Sequence, residues 1–443
     1  MNIAKEVPAR SPLNRWRIVS AIRLAALLLI AGALAEQSAA QSIQQLHSFT
    51  GGNDGYQPQS TVVADKNGVL YGTAFLGGFL NCNGGSGLGC GTVYQLIPPA
   101  DPTGSWTFSL IYKFMGEKDG CCQYSTLAID DVGNLYGVTN FGVGEFYGGV
   151  FRLSPPVAPS DSWKFSILYE FQNQADGQNP QSPLVIDKAG AIYGVTRNGG
   201  LPGCGGNGCG AVFKLVPPQR PGGPWKENTL YQFQGLRDGG TPTGLLIDKD
   251  GTLFGTTSAG GTVGADCPNG CGVVFELYTF GNGFYELPIY TFQDSPDGAV
   301  PYSLTMDRSG TLYGLAGFYT KQNLVSVFRL KPPAKMFGRW QKGVLYAFPT
   351  RANGGYPPTY LTTADDNNLY GAVFGDIDLD SGYIFQLMPP DLNSGGWTYH
   401  TLVDMNVSGP DRNPNGVIRG KFGHLYGTLN GGDSSDGDVF EIF

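Results

Sequence analysis

A repeated Asp-Gly pair carries the acidic side chains of this sequence that could do chemistry. The pair occurs at Asp54, Asp119, Asp176, Asp238 and Asp297. Corresponding positions in the last two repeats hold Asn353-Gly354 and Asp411. Carboxylates gathered at one place can hold a cation, and two at a suitable separation can hydrolyse a glycosidic bond. Asp-Gly is equally a common turn dipeptide, because Asp accepts hydrogen bonds from the nearby backbone. The pairs therefore allow a binding interpretation and a turn interpretation.

Four tyrosines follow these Asp-Gly pairs closely in sequence. They are Tyr56, Tyr124, Tyr302 and Tyr356. A tyrosine ring offers an apolar face and a polar hydroxyl, so it can stack on a sugar or simply line a channel. We expect these tyrosines near the same opening as the aspartates.

Two loops late in the chain are strongly acidic. The first contains Asp376, Asp378 and Asp380, and the second runs over residues 433–438. Alternating aspartates followed by Gly resemble a calcium loop, in which hard oxygen ligands surround a hard cation. However, Leu387 stands where a bidentate Glu would be needed. A calcium site and a solvated acidic loop both remain open, and no other cofactor is indicated.

The histidines give little support to nucleophilic catalysis. His47, His400 and His424 are the three in the chain, and they lie in strand-like stretches away from the Asp-Gly pairs. This spacing disfavours a Ser-His-Asp or Cys-His arrangement and a zinc site. The Gly-rich runs do not open helices, so phosphate-binding loops are not indicated.

Six of the eight cysteines form three local pairs. They are Cys82 with Cys90, Cys204 with Cys209, and Cys267 with Cys271. Each pair spans a single Gly-rich loop, and we predict three disulfides because no partner ligands complete a zinc tetrahedron. Cys121 and Cys122 are adjacent, and both a vicinal disulfide and two free thiols are consistent with the sequence.

The elements that position these residues come from a repeat. The motif Leu-Tyr-Gly, followed after a Gly-rich gap by Gly-x-Val-Phe-x-Leu, recurs seven times and is clearest at residues 135–137 and 148–153. Each repeat predicts four short strands, separated by turns rich in Gly, Asn and Asp. A Pro-Pro pair ends most of the third strands, since proline cannot donate to a ladder. Five of the six tryptophans begin the fourth strand, which indicates packing between neighbouring sheets.

The two ends of the chain predict how the repeats are arranged. Residues 437–443 resemble a third strand, and residues 41–49 resemble the fourth strand that would complete that repeat. Pairing them closes a ring, whereas an open solenoid would carry polar capping repeats. We therefore predict an all-β fold, a seven-bladed β-propeller of four-stranded blades, which spans residues 41–443 as one domain and is closed by the pairing of 41–49 with 437–443.

Residues 1–40 have the features of an export signal. Arg10, Arg15, Arg17 and Arg23 precede a short apolar run, and Ser38-Ala39-Ala40 provides a small-x-small cleavage site. An uncleaved anchor is the alternative. The net charge is −8 before cleavage and more negative after it. This charge disfavours nucleic acid and anionic membranes as partners. We expect a monomer that is secreted or held in the periplasm or cell envelope.

The paired Leu-Tyr-Gly and Gly-x-Val-Phe-x-Leu motifs, at this spacing and copy number, resemble the GloVer (Gloeo/Verruco) tandem-repeat family of exported bacterial proteins. The resemblance covers essentially residues 42–443. It implies a propeller-like exported protein, and it brings no established activity or catalytic residues to this chain. No C-terminal anchor of the kind found in family members is visible before Phe443, so we expect free secretion.

These observations favour a non-catalytic propeller that binds a glycan or another extracellular protein, or acts as a scaffold for one. A polysaccharide hydrolase or lyase is a first alternative, with Asp119, Asp176 and Asp238 as its candidate carboxylates. A purely structural envelope protein is the second. The fold does not decide among them, because propellers host unrelated functions.

Overall fold

The protein folds as a ring of small antiparallel sheets around a central axis. The structure, a computed structural model, describes residues 42–82, 87–101, 104–116, 118–123, 125–142, 147–158, 160–265, 267–281, 283–293, 298–317, 325–335, 338–348, 358–374, 382–390, 395–405, 413–420, 423–431 and 436–443. These ranges contain 29 strands, and a 3-10 turn lies at Cys204–Gly206. None of the helical segments within them is long and apolar enough to cross a bilayer.

The first three blades follow the first strand, β1 (Ile43–Ser48), which belongs to the last blade. Blade 1 contains β2 (Val63–Ala64), β3 (Leu70–Ala74), β4 (Thr92–Ile97) and β5 (Thr107–Lys113). Blade 2 contains β6 (Ala128–Ile129), β7 (Leu135–Thr139), β8 (Gly149–Ser154) and β9 (Lys164–Glu170). Blade 3 contains β10 (Gln178–Pro180), β11 (Val185–Ile186), β12 (Ile192–Asn198), β13 (Ala211–Val216) and β14 (Lys226–Gln232).

The remaining four blades continue the same order. Blade 4 contains β15 (Gly240–Ile247), β16 (Leu253–Ala259), β17 (Val273–Phe280) and β18 (Gly283–Thr291). Blade 5 contains β19 (Tyr302–Met306), β20 (Leu312–Ala316), β21 (Ser326–Lys331) and β22 (Gln341–Ala347). Blade 6 contains β23 (Pro358–Thr363), β24 (Leu369–Val373), β25 (Tyr383–Met388) and β26 (Thr398–Asp404). Blade 7 contains β27 (Asn413–Arg419), β28 (Leu425–Asn430), β29 (Asp438–Ile442) and β1.

Pairing of the first and last strands closes the ring. β1 runs antiparallel to β29, with Ile43 opposite Ile442 and Ser48 opposite Asp438. Blade 7 therefore takes its outermost strand from the beginning of the chain. The predicted seven-bladed propeller and its closure by residues 41–49 and 437–443 are confirmed.

The repeated motif reflects a cross-strand fit within each blade. Gly137 of the Leu-Tyr-Gly strand lies opposite Phe151 of the next strand. A Cβ on Gly137 would lie 2.5 Å from the Phe151 ring, so only glycine leaves room for that ring. The corresponding phenylalanines of blades 3 to 7 are completely or almost completely buried at the centres of their blades: Phe213, Phe275, Phe328, Phe385 and Phe440.

The tryptophans pack between blades, as the sequence predicted. Trp163 of blade 2 meets the Tyr71 ring of blade 1 edge-on, at 5.9 Å between ring centres. The same contact joins other neighbouring blades through Trp106 and Tyr426, Trp225 and Tyr136, Trp340 and Phe254, and Trp397 and Tyr313. Aromatic pairs of this geometry add to the stability that comes from burial.

The innermost strands divide the ring into two parts. In blades 1 to 3, the part of the innermost strand next to its turn is only two residues long (β2, β6 and β11). The innermost strands of the other four blades, β15, β19, β23 and β27, are five to eight residues long. The sequence explains the difference, because Pro58 and Asp65 are one residue further apart than Pro242 and Asp248. The additional residue interrupts the ladder, and in blade 3 it separates β10 from β11. The four strands predicted for each repeat are therefore incomplete at the centre of blades 1 to 3.

Candidate functional site

The Asp-Gly aspartates lie in the loops that join one blade to the next, which we call the inter-blade loops. Asp119 and Asp176 are 3% and 5% exposed. Asp176 accepts hydrogen bonds from the backbone N–H groups of Gln172 and Gln174, and from the Tyr169 hydroxyl at 3.0 Å. Asp119 accepts from the amides of Met115 and Gly116 and from Tyr112. These carboxylates therefore stabilise the backbone conformation of the loops that contain them.

Asp238 and Asp54 follow the same pattern with small differences. Asp238 accepts from the Gln234 and Leu236 amides and from the Tyr231 hydroxyl. Asp54 accepts from the backbone and hydroxyl of Thr50. Burial raises the pKa of Asp119 despite its hydrogen bonds, which lower it. The geometry of these four aspartates thus supports the turn interpretation, and Asp297 lies outside the described residues.

The four predicted tyrosines are not equivalent. Tyr302, at the start of β19, lines the central channel of the ring. Tyr56 lies in the inter-blade loop before blade 1, where its hydroxyl accepts a hydrogen bond from the Gln57 amide at 3.1 Å. Tyr124 and Tyr356 lie outside the described residues.

The central channel is a cavity of about 410 Å³. Every blade contributes to its wall from the innermost strand or the residues just before it. Hydroxyl and amide side chains dominate the described wall: Gln59, Ser60, Thr61, Ser125, Thr126, Gln181, Thr243, Tyr302, Ser303, Thr305, Tyr360, Thr362 and Asn415. Leucines and backbone supply most of the rest, and none of the described wall residues is charged. Burial raises the pKa values of Tyr302 and Tyr360, which keeps both hydroxyls protonated.

Several of these polar groups also form hydrogen bonds between neighbouring blades. The Thr243 hydroxyl of blade 4 donates to the Pro301 carbonyl of blade 5 at 3.0 Å. The Ser303 hydroxyl of blade 5 accepts from the Leu361 amide of blade 6 at 2.8 Å. Asn415 of blade 7 donates to the Pro58 carbonyl beside blade 1. These hydrogen bonds connect blades 4, 5 and 6 along the channel wall and connect blade 7 to blade 1.

Sequence reasoning missed this lining. Apart from Tyr302, the sequence prediction placed no site residue on the innermost strands. A signal was present in the chain, because Ser, Thr, Gln and Asn recur directly after the inter-blade loops, where the strand pattern otherwise favours apolar residues. The Asp-Gly pairs drew attention to the neighbouring loop instead.

The three predicted disulfides are present, at Cys82–Cys90, Cys204–Cys209 and Cys267–Cys271. Each disulfide closes a loop between the second and third strands of blades 1, 3 and 4. Cys121 and Cys122 are buried free thiols whose sulfur atoms lie 3.0 Å apart. The hydrogen bond to Cys122, together with burial, raises the pKa of the Cys121 thiol.

Within the described ranges, no group of three or more His, Cys, Asp or Glu side chains could hold a metal ion. The calcium prediction at Asp376, Asp378 and Asp380 falls outside the described residues.

One histidine lies closer to an inter-blade loop than the sequence suggested. His47, in β1, places its Nε2 atom 3.4 Å from Asp54. Its ring also stacks on Phe108 at 3.7 Å between ring centres. Burial lowers the pKa of His47 although Asp54 raises it. His47 belongs to the outermost strand of blade 7, and it is not among the residues that line the channel.

Two solved structures of similar fold come from bacterial surface proteins. One is the extracellular domain of BT4673, described as a one component system, from B. thetaiotaomicron, with 12% identity and a TM-score of 0.53. The other is PorZ, described as an essential surface component of the type-IX secretion system of Porphyromonas gingivalis, with 13% identity and a TM-score of 0.51. The matches cover 90% and 92% of this chain but only 40% and 49% of those chains. At this identity the likeness shows the fold alone.

Sequence comparison identifies the family directly. A search of curated proteins gave no match to this chain. The profile of the Gloeobacter/Verrucomicrobia repeat, in contrast, matches four overlapping segments, residues 31–206, 81–328, 158–372 and 203–440. These segments together cover most of the chain and all seven blades. The chain is a member of the Gloeobacter/Verrucomicrobia repeat family.

Proposed function

We propose that this protein is an exported binding module that takes a neutral glycan into its central channel. The observation that carries this proposal is the chemistry of the channel wall. Side chains with hydroxyl or amide groups come from all seven blades, and none of the described wall residues is charged. Such groups both donate and accept hydrogen bonds, as the hydroxyl groups of a sugar also do.

The size and shape of the channel fit this ligand class. Pockets for small ligands generally have volumes of about 300–1,000 Å³ and place a few polar groups among apolar ones. The channel, at about 410 Å³, lies within this range. Leu245, Leu304 and Leu361 provide its apolar surface, and the Tyr302 and Tyr360 side chains provide aromatic surface for a sugar ring.

Export is part of the proposal. Three disulfides suit an oxidising compartment outside the cytoplasm. The similar solved structures are extracellular or surface proteins by their own descriptions. We propose that residues 1–40 are the signal that directs this export, and that the remaining chain is released to the cell exterior, the periplasm or the envelope.

A glycan array followed by calorimetry on the purified protein tests the proposal. We expect binding to at least one neutral oligosaccharide, and we expect Tyr302→Ala to weaken it about tenfold, which corresponds to about 1.4 kcal/mol. Tyr285→Ala is the matched control, because Tyr285 is exposed on β18 at the outside of blade 4. An array without neutral ligands, or equal losses in both variants, would contradict the proposal.

A reducing-sugar assay on the same samples addresses the hydrolase alternative. Glycosidases need two available carboxylates flanking the scissile bond. Asp119, Asp176 and Asp238 are instead hydrogen-bonded within their own loops. We therefore expect binding without release of reducing ends. Release that disappears in Asp176→Asn would favour the hydrolase.

A protein partner is a second candidate. It is favoured by exposed apolar side chains on the face of the ring that carries the disulfide-closed loops between the second and third strands. They occur in the loops of blades 1 to 4 and in the inter-blade loops beside them: Phe79, Leu80, Leu88, Met115, Phe141, Leu201, Leu236 and Val263. Apolar groups clustered on one face commonly mark a protein contact. Cross-linking of the exported protein in its native culture tests this candidate. We expect a cross-linked species with the wild-type protein and no such species with the double variant Leu80→Ser, Leu88→Ser.

A further inference from the structure

Blade 4 differs from the other blades at one residue pair that joins its second and third strands. In blades 2, 3 and 5 the tyrosine of the Leu-Tyr-Gly motif lies opposite a basic residue, in the pairs Tyr136 and Arg152, Tyr193 and Lys214, and Tyr313 and Arg329. Blades 1 and 6 have a glutamine at this place, and in blade 7 Glu441 accepts a hydrogen bond from the Tyr426 hydroxyl. Blade 4 instead places Phe254 opposite Glu276. It therefore has a carboxylate at this position and no hydroxyl to pair with it.

The change removes partners from two carboxylates. In blade 2 the Tyr136 hydroxyl donates to Asp130 of the adjacent turn at 3.0 Å, and blades 3 and 5 have the same bond. Phe254 has no hydroxyl, so the corresponding Asp248 of blade 4 lacks this donor. Glu276 forms no hydrogen bond or ion pair with a residue in the described ranges. Burial, together with the nearby charge of Asp248, raises the pKa of Glu276. The negative charge at this place is therefore poorly compensated.

A cavity of about 410 Å³ opens beside Glu276, between blades 4 and 5. Its wall comes from the turn before β16, the end of β17, part of β18 and the segment that precedes β22. Glu276 is only half-buried and belongs to this wall, which places it within reach of a ligand. None of the described wall residues is among those that line the central channel. The cavity is therefore a separate candidate site.

Aromatic side chains form another part of the cavity wall. They are Tyr278, Phe284 and Trp340. Blade 4 has no Pro-Pro pair after its third strand, so β17 and β18 extend to eight and nine residues, compared with five to seven for the third and fourth strands of the other blades. Tyr278 and Phe284 lie in this longer hairpin, whereas Trp340 comes from blade 5 and packs edge-on against Phe254. The aromatic wall thus exists because blade 4 is extended here.

A carboxylate beside aromatic rings suits an organic ammonium ion. The faces of aromatic rings attract cations, and a carboxylate accepts charge-assisted hydrogen bonds from an ammonium group. Lys335 is the basic residue in the described part of the wall, but it is exposed and forms no ion pair with Glu276. A calcium ion would need roughly six to eight oxygen ligands. The described chain offers no group of three or more His, Cys, Asp or Glu side chains for a metal.

We propose that this cavity binds a protonated alkylamine, with the ammonium group at Glu276 and against the rings of Phe284 and Trp340. The ligand supplies the positive charge that a basic side chain supplies in blades 2, 3 and 5. A neighbouring cavity of about 740 Å³, which shares Trp340 with the first, provides room for the rest of the molecule. The site is independent of glycan binding in the channel, so each proposal can fail without the other.

Titration with n-butylamine, followed by ligand-observed NMR, tests the site on the purified protein. Butan-1-ol is the neutral counterpart of this probe. We expect the wild type to bind the amine at least tenfold more tightly than the alcohol. Glu276→Gln keeps the size of the side chain and removes its charge, so it should weaken amine binding at least tenfold and leave alcohol binding unchanged.

A second variant reproduces the arrangement of another blade. The double substitution Phe254→Tyr, Glu276→Lys creates in blade 4 the pair that Tyr193 and Lys214 form in blade 3. It should abolish amine binding, with an unchanged or higher melting temperature, because the lysine occupies the place of the ligand. Glu227→Gln is the matched control, since Glu227 is a half-buried glutamate on β14 outside the cavity wall. This control should retain full affinity for the amine.

The contrary outcomes are specific. A wild type that does not prefer the amine to the alcohol, or an amine affinity that is the same in Glu276→Gln, overturns the proposal. Titration with calcium chloride provides a further arm. Calcium binding that Glu276→Gln abolishes, without any amine binding, would show a metal site instead and would also overturn it. The melting temperature of each variant verifies folding, and if the double variant does not fold, Glu276→Gln alone decides.

Discussion

At the scale of single residues, carboxylates and tyrosines are paired repeatedly through the ring. The hydroxyl of Tyr112, Tyr169 or Tyr231 donates to the aspartate seven positions later in its inter-blade loop. Because the same pair recurs in successive blades, it belongs to the construction of the repeat. The residues that differ between blades are better candidates for ligand recognition.

Glu286 is a carboxyl group that the fold holds in an unfavourable environment. It lies in β18, near Asp238, and one of its oxygens is buried and unbonded within the described residues. Burial, with a smaller contribution from Asp238, raises the pKa of Glu286 to about 8. Because this folded-state pKa lies above the unfolded value, the carboxyl group favours folding most at low pH. Its contribution falls as the pH rises from the unfolded pKa through about 8.

We expect Glu286→Gln to raise the free energy of unfolding at pH 7 by about 2 kcal/mol, a value already reduced for partial solvation. At pH 4 the effect should vanish, because the glutamate is then neutral in both states. Urea unfolding at the two pH values measures the difference. Glu170→Gln, at an exposed glutamate, is the control. An equal gain at both pH values would contradict the electrostatic explanation.

The cysteines give a direct chemical prediction. Alkylation of the denatured but unreduced protein should label Cys121 and Cys122 alone, since the structure leaves only these two free among the described cysteines. Alkylation after reduction should label all eight cysteines. Peptide mass spectrometry locates the labels. Cys121 and Cys122 that become reactive only after reduction would instead indicate a vicinal disulfide.

At the scale of elements, the inter-blade loops connect neighbouring blades through an unusual backbone conformation. Gln57, Asn179, Thr241 and Val300 have φ between 52° and 55°, the left-handed region that β-branched residues rarely adopt. Each of their N–H groups donates to a carbonyl of the preceding blade, as from Val300 to Cys271 at 2.8 Å. The backbone is therefore strained at Thr241 and Val300, and this strained conformation allows each residue to form a hydrogen bond to the preceding blade.

Reciprocal substitutions test this strain. We expect Val300→Asn to raise the free energy of unfolding by about 1 kcal/mol, because Asn tolerates the left-handed conformation better than Val. Asn179→Val should lower it by a similar amount, since it creates the same strain in the loop before blade 3. Urea unfolding of both variants provides the measurement. Changes of the same sign in the two variants would show that packing, and not backbone conformation, decides these positions.

Element by element, the sequence predicted the outer parts of the blades better than their centre. The Gly137 and Phe151 pair, and the tryptophans that meet Tyr71 and its counterparts, follow from local patterns that repeat with the same spacing. The interrupted ladders of blades 1 to 3 depend on one additional residue, whose effect appears only when strands are paired. The channel wall was missed for a related reason, since seven separated segments form it and no one segment resembles a site.

At the scale of the whole molecule, stability depends on the strand that completes blade 7. Leu46 of β1 packs against a core cluster that includes Val62, Leu96 and Val439, which joins blade 7 to blade 1. Gln44, on the same strand, is exposed. β1 therefore contributes to both the blade and the junction that closes the ring.

We expect Leu46→Ala to lower the free energy of unfolding by about 2 kcal/mol, at the low end for a Leu to Ala change because the side chain is only partly buried. Gln44→Ala should change it by less than about 0.5 kcal/mol. Urea unfolding followed by tryptophan fluorescence compares the two variants. Equal stability of both would indicate that the closing strand adds little to the ring.

The pairing of β1 with β29 also imposes an order of events on biosynthesis. Gln45 and Asp438 are bonded across the closing sheet although 393 positions separate them along the chain. The ribosome synthesises β1 before the other strands, so β1 has no partner strand until β29 has been synthesised after the first six blades. The last sheet needs both ends of the polypeptide, so it cannot be completed until translation is almost finished.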